Sequence, residues 1–378
     1  MSSIKIAEAR KIILEKIQSQ GTEKVSINEA LGRILSEDII ARRNNPPMDN
    51  SAMDGYALIA KDVELATPEN PIKLDIIEDL AAGYSPEMTI QPGQTVRIMT
   101  GAPIPEGADA VIMQEDTERN GNSVQVKDKA EVRENIRDAG EDVREGETVI
   151  RKGADLMPAH IGMMAVVGRS TALVGRRPQV AVLSTGDEVM DLDEPLSGPC
   201  IYNSNGYMLA AQIKSAGGIP SYLGIARDNE KDLMEKFKWA LQCDMVVSSG
   251  GVSVGDYDLV KTSLKKMGQE MLFWKVAMKP GKPLAFGRID DVPIFGLPGN
   301  PVSSFVSFEQ FVRPSIRKMM GATQLNHKSV QAKLTRTVYK KAGRQHFLSA
   351  YVNWENGECT VSPTQEQGSG ILKSTVNA

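Results

Sequence analysis

A chain of 378 residues exceeds one ordinary hydrophobic core and is read as roughly two to four domains. With 41% hydrophobic and 24% charged residues, its composition is globular rather than disordered. A formal net charge of -4 leaves no broad basic field for a phosphate backbone, so nucleic acid is not expected as a partner and any anion site must be local. Residues 4–18 place Ile6, Ile13, Leu14 and Ile17 at helical spacing, and Ser26 with Glu29 forms a capping-box pattern that predicts a second helix. From Arg42 the texture changes to short strand-like runs at 72–77, 95–99, 110–113 and 123–126, separated by turn residues. The expectation is a β-rich module over 42–143, carried by a mixed helical linking domain made of 1–41 and 144–177. Helical spacing returns at 161–167.

From Pro178 the pattern becomes strand, loop, helix. Runs at 180–183, 221–225, 245–248 and 293–297 read as strands, with helices at 207–216, 230–241 and 259–267. That alternation predicts an α/β domain over 178–325 built on a doubly wound parallel sheet. After Gly321 the texture is β again, at 330–338 and 347–353, which suggests a small C-terminal β domain over 326–378.

In an open α/β sheet, ligands bind beyond the carboxyl ends of the strands. The segments that follow the predicted strands are Ser184-Thr185-Gly186-Asp187-Glu188, then Arg227-Asp228, then Ser249-Gly250-Gly251-Val252-Ser253-Val254-Gly255-Asp256, then Pro298-Gly299-Asn300-Pro301. Glycine turns expose backbone amides that cradle an oxyanion, and carboxylates at the same edge hold a magnesium ion that neutralises it. Each loop alone reads more readily as a plain turn; four such loops on one edge favour a site. Lys275, Lys279 and Lys282 supply local positive charge suited to a small anion, or form a solvated lysine face.

Gly251-Val252-Ser253-Val254-Gly255 also matches the nucleophile elbow G-x-S-x-G. A serine hydrolase using Ser253 would need His327 or His346, which fall in or beside the terminal β segment. No P-loop or dinucleotide fingerprint is present. Cys200, Cys243 and Cys359 are odd in number and far apart, against a disulfide framework or a zinc cluster. There is no apolar run of the length of a signal peptide core or a bilayer span, so the protein is read as cytoplasmic, with no membrane partner.

Pro47-Met48-Asp49-Asn50-Ser51-Ala52-Met53-Asp54-Gly55-Tyr56-Ala57 is a long, uncommon string that propensity does not explain. It resembles the signature of the molybdopterin molybdenumtransferase family, the MoeA-type proteins related to the E domain of gephyrin. The resemblance continues in order through Arg97-Ile98-Met99-Thr100-Gly101-Ala102, Gly140-Glu141-Asp142, the loops at 184–188 and 249–255, Lys279-Pro280-Gly281-Lys282-Pro283 and Leu297-Pro298-Gly299-Asn300-Pro301. It implies a multidomain α/β protein whose sheet domain is of the molybdopterin-binding type. It also implies a homodimer, with a site where the sheet domain of one subunit faces the β-rich module of the other.

The implied reaction takes molybdenum from molybdate into adenylylated molybdopterin and releases AMP, with Mg2+ as the ion. The implied partners are the upstream adenylyltransferase and acceptor molybdoenzymes. Carried over residue by residue, Asp54, Thr100, Asp142, Glu188, Asp228 and Asp258 surround the reaction centre, with Glu188 and Asp258 chosen for the metal. Ser184, Ser249, Gly250, Gly251, Ser253, Gly255, Lys275, Lys279, Pro298 and Pro301 are expected to hold substrate. A noncatalytic gephyrin-like scaffold and a relative catalysing the preceding adenylylation are the other readings, the latter ranked lower because it generally lacks the 49–57 string. The family usually continues beyond an Asn-Ala stretch into a further strand, so the terminal domain is expected to lack its last strand.

Overall fold

Short apolar runs become strands where their alternate residues find two different cores, and Gly55–Leu58 shows this directly. In the computed structural model, which describes residues 3–251, 259–376 and 378, Tyr56 and Leu58 pack into one cluster with Leu74, Ile112 and Val124, while Ala57 packs into another with Leu80, Val96 and Ile98. Successive side chains of a strand point to opposite faces, so β1 (Gly55–Leu58) is buried along its whole length. Around it lie β2 (Ile72–Leu80), β3 (Gln94–Ile98), β4 (Ala110–Met113), β5 (Thr117–Asn120) and β6 (Ser123–Val126). They form a six-stranded sheet in the order β4-β1-β3-β2-β6-β5. Only β2 and β3 run parallel. This sheet belongs to a compact unit of Asp38–Arg151 and Gly162–Ser170.

The other unit comprises Met1–Glu37, Lys152–Ile161 and Thr171–Ala378. Its six-stranded sheet contains β7 (Gln179–Thr185), β8 (Ile219–Ala226), β9 (Met245–Ser249), β10 (Glu270–Lys275), β11 (Pro283–Ile289) and β12 (Val292–Leu297), in the order β8-β7-β9-β12-β11-β10. The first four are parallel, as the strand–loop–helix alternation predicts. The remaining pair, β11 and β10, is antiparallel and extends one edge, so the sheet is mixed. Helices cover both faces. Val180 and Val182 of β7 pack with α1 (Ile6–Lys16) and α2 (Ser204–Ala216), and Ala181 and Leu183 pack with α3 (Glu230–Ala240) and α4 (Leu259–Lys266). Strands buried on both faces read as continuous apolar runs, which is why 180–183 and 245–248 stand out in the sequence.

Three local expectations need correction. The capping box at Ser26 starts a single 3-10 turn, Ile27–Glu29, whose only cap is a 3.4 Å bond from the Asn28 amide to Ser26 Oγ. Gly32, at φ +72°, ends the prospect of a longer helix. In the terminal segment, the strand expected at 330–338 shrinks to Lys333–Leu334, because Val330 and Leu334 are exposed and nothing apolar anchors the rest. The better-formed strands there are Ala350–Glu355 and Glu358–Pro363. At the other end of the chain, Ile4 pairs with Val276 just beyond β10. Its amide donates to the Lys275 carbonyl at 3.1 Å, and its carbonyl accepts from the Ala277 amide at 2.8 Å. Among the described residues no helix is long and apolar enough to cross a membrane.

Candidate functional site

The chain leaves β7 toward β8 on one side and later returns to place β9 on the other side. The direction reverses between β7 and β9, and open α/β sheets bind ligands at the carboxyl ends of strands at such a reversal. Ser184 and Thr185 end β7, and Ser249 ends β9 with Gly250 and Gly251 following it, both serines only 3% exposed. The glycines are required by geometry. Gly250 has φ +91°, and a Cβ there would lie 2.6 Å from the Thr185 carbonyl oxygen; Gly251 has φ +63°. The backbone of this turn therefore approaches β7 as closely as a chain without side chains permits. The third turn, Pro298 to Asn300, follows β12, and Pro301 opens the next helix at its first position.

The start of α2 ties these turns together. Asn203 is its N-cap: Oδ1 accepts from the Gly206 amide at 3.0 Å and from Ser184 Oγ at 2.7 Å. Its Nδ2 donates to the Tyr222 hydroxyl at 2.8 Å. That hydroxyl donates on to Asp191, which also accepts from Tyr207 at 2.7 Å. The Tyr207 bond, first among several, holds the Asp191 carboxyl below its ordinary range. Burial, then the Asp191 charge, pushes the Tyr222 phenol up, so it stays a neutral donor. Two residues on, Asn205 Nδ2 donates to Ser249 Oγ at 2.8 Å and to the Gly299 carbonyl at 2.7 Å. Neither asparagine is marked by a sequence motif, because an Asn at a helix start reads as an ordinary cap.

Glu188 and Asp228 lie at the same edge. Asp228 is spent on structure: its amide donates to Asp187 at 3.0 Å, and its carboxylate accepts weakly from the Asp187 amide at 3.4 Å. Arg227 reaches across the same loop to the Val189 carbonyl at 3.0 Å. Glu188 is exposed, and among the described residues its side chain has no hydrogen bond or ion pair. No group of three or more His, Cys, Asp or Glu side chains converges on a metal position among the described residues. Magnesium does not require one, since it keeps several waters and takes one or two carboxylates with substrate phosphates. The free oxygens of Glu188 fit that donor set. Ser253, Gly255 and Asp258 lie outside the described residues.

Next to the third turn is a cavity of about 420 Å³ whose lining includes Lys279, Lys282, Lys340, Arg344 and His346, together with Pro298, Asn300 and Ser303. Four lysine and arginine side chains around one cavity of an acidic protein are a concentrated anion field. Lys279 was singled out from the sequence. Lys340 and Arg344 were not, because they sit in a polar stretch with no motif. Lys275, at the end of β10, is not among the lining residues.

In the unit of residues 38–151, Asp54 and Thr100 are joined directly. Asp54 Oδ1 accepts from the Thr100 amide at 2.7 Å and from its hydroxyl at 2.8 Å. The amide first, then the hydroxyl, holds the Asp54 carboxyl below the ordinary carboxylate range. Several positions of the uncommon string around it have a structural reason. Asp49 accepts from the Ala139 amide at 2.8 Å and from Arg133, and Asn50–Ser51 pairs with Ile136–Arg137. A Cβ on Gly55 would sit 1.9 Å from the Ile112 carbonyl oxygen. Asp142 has a different partner, its carboxylate accepting from Asn45 Nδ2 at 2.9 Å.

Family models match nearly the whole chain: the MoeA N-terminal region (domain I and II) over residues 4–168, a probable molybdopterin binding domain over 181–318, and the MoeA C-terminal region (domain IV) over 331–378. The class is thus a three-region protein of the MoeA type. Molybdopterin molybdenumtransferase of Haemophilus influenzae is 39% identical, covering 98% of this chain and 92% of its own. The Bacillus subtilis protein of the same name is 37% identical, with 96% and 85% covered. The crystal structure of a molybdopterin biosynthesis MoeA protein from Pyrococcus horikoshii superposes with a TM-score of 0.84 at 34% identity, covering 99% of this chain and 93% of that one. The chain belongs to the molybdopterin molybdenumtransferase family, a family of enzymes, as its motifs indicated.

Proposed function

We propose that the protein inserts molybdenum from molybdate into adenylylated molybdopterin, releasing AMP and forming the molybdenum cofactor. The observation that carries this is the pairing of three backbone-rich turns at the sheet's switch point with the adjoining Lys279, Lys282, Lys340 and Arg344 cavity. A phosphoanhydride substrate and a tetrahedral oxyanion both need fixed donors and positive charge, and such preorganised groups cost no rearrangement during the reaction. Ser184, Ser249, Gly250, Gly251, Pro298 and Pro301 belong to the turns that hold the substrate. Lys279 and Lys282 neutralise its negative oxygens, and Lys275 supports them from the end of β10.

Magnesium bound at Glu188 would neutralise the anhydride and orient it for cleavage. Asp228 keeps the Glu188 loop in place through Asp187. Asp54 and Thr100 act as one polar unit, and Asp142 as a second carboxylate. We place these three opposite the sheet edge of a second subunit in a homodimer, following the family. The protein would work in the cytoplasm, taking substrate from the adenylyltransferase and passing product to molybdoenzymes.

The test is to incubate the purified protein with adenylylated molybdopterin, magnesium and molybdate and follow AMP and cofactor formation. Molybdate-dependent AMP release supports the assignment; its absence removes it. Fluorophosphonate labelling of Ser253 would instead favour hydrolase chemistry.

A further inference from the structure

We propose that Asn205 is a positioning residue that staples the turns after β9 and β12 at a fixed separation. Its kinetic half rests on the molybdenumtransferase assignment; its structural half does not. The amide nitrogen of Asn205 bridges Ser249 Oγ at 2.8 Å and the Gly299 carbonyl at 2.7 Å. The Gly299 oxygen only accepts, so it fixes which end of the amide faces it. Ser249 Oγ in turn reaches the Pro298 carbonyl at 3.4 Å, adding a second, weaker tie between the same two turns.

The contrast with Asn203 shows what kind of residue Asn205 is. Asn203 uses both ends of its amide, capping α2 and joining β7 to β8 through Ser184 and Tyr222. Asn205 leaves Oδ1 buried and without a partner among the described residues. A buried acceptor without a donor is costly, so an amide placed for stability alone would pair both ends. What Asn205 gains is the bridge from its nitrogen. The turns it bridges need one, because Gly250, Gly251 and Gly299 have no side chains of their own to restrain them, and glycine backbone is permissive. A ligand that must order such turns on arrival binds more weakly than one that meets them already set. Asn205 thereby acts on the substrate through Ser249 and Gly299.

The experiment compares wild type with Asn205→Asp, which keeps the shape but loses the donors, and with Asn205→Ala, which adds no charge beside the Gly299 carbonyl should the aspartate variant fail to fold. Amide hydrogen exchange is read at 249–251 and 299–300, alongside β7 and α2. The expected result is faster exchange confined to the two turns, with KM for adenylylated molybdopterin raised about tenfold and kcat within about twofold of wild type. Unchanged exchange in the turns, exchange raised equally throughout the sheet, or an unchanged KM would overturn the proposal. If wild type itself releases no AMP, the assigned reaction fails while the exchange data still decide the role of Asn205.

Discussion

Thr100 gives Asp54 two hydrogen bonds on one carboxylate oxygen, a backbone amide at 2.7 Å and a hydroxyl at 2.8 Å. Both stabilise the ionised acid, so the Asp54 carboxyl lies below its ordinary range. For a depressed carboxylate, the linked stability is fully present above the unfolded pKa, about 3.9, and is lost as pH falls through the lower folded value. Thr100→Val removes the hydroxyl and keeps the amide. It is expected to raise the Asp54 pKa part of the way to the ordinary value, as read by carboxyl-carbon NMR titration. No upward movement would mean the hydroxyl contributes nothing.

The proposed sharing of the site between subunits gives a separate prediction. Asp54→Ala and Glu188→Ala proteins should each be nearly inactive. Mixing them under subunit exchange should restore activity to at most about half per heterodimer, because two-fold symmetry gives one intact site and one carrying both defects. No recovery despite demonstrated exchange would reject the shared site and leave the reaction itself open.

The cationic cavity predicts a salt-sensitive oxyanion affinity. Lys282→Ala and Arg344→Ala are each expected to weaken molybdate binding about tenfold at low salt, and by less as ionic strength screens the remaining charges. Isothermal titration across a salt series measures this. Equal affinities in wild type and both variants would place the oxyanion elsewhere.

Two glycines predict opposite effects of the same substitution. Gly55→Ala forces a methyl group to within 1.9 Å of the Ile112 carbonyl oxygen, between β1 and β4. It should destabilise the protein by about 2–4 kcal/mol. Gly162 lies in the helix Pro158–Val166 with nothing within 4 Å of an added Cβ. Gly162→Ala should stabilise it by about 0.5–1 kcal/mol. Urea unfolding distinguishes the two.

The central parallel strands β7 and β9 and their turns were legible because double burial writes an uninterrupted apolar run, and because Gly250 is dictated by a backbone contact and Gly251 by its positive φ and the side chains of Val260 and Thr185. The antiparallel edge was harder to see. Residues 270–275 alternate only loosely, with Phe273 alone buried, Glu270 exposed and the rest half-buried, so they carry no clear period. Among the candidate site residues, the exposed Glu188 and the Asp54–Thr100 pair were picked out through the motifs that contain them. Arg344 and Asn205 were missed because their roles depend on partners far away in sequence: the Lys279 loop for one, Ser249 and Gly299 for the other. Distance in sequence, rather than weak chemistry, hid them.

A last consequence comes from Ile4. A sheet edge presents a ladder of open amides and carbonyls on which a second chain can lay down a strand. Just beyond β10, the Lys275 carbonyl and Ala277 amide are already engaged by Ile4. One residue from the far end of the chain thus occupies the place where an intruding strand would begin. Because α1 follows immediately and packs in the core through Ile6, Ala9 and Ile13, that plug is anchored rather than loose. The lysine-bearing loop that begins there is therefore bordered by the protein's own backbone, at Ile4 and again at Gln345–His346, which pairs with Met278–Lys279.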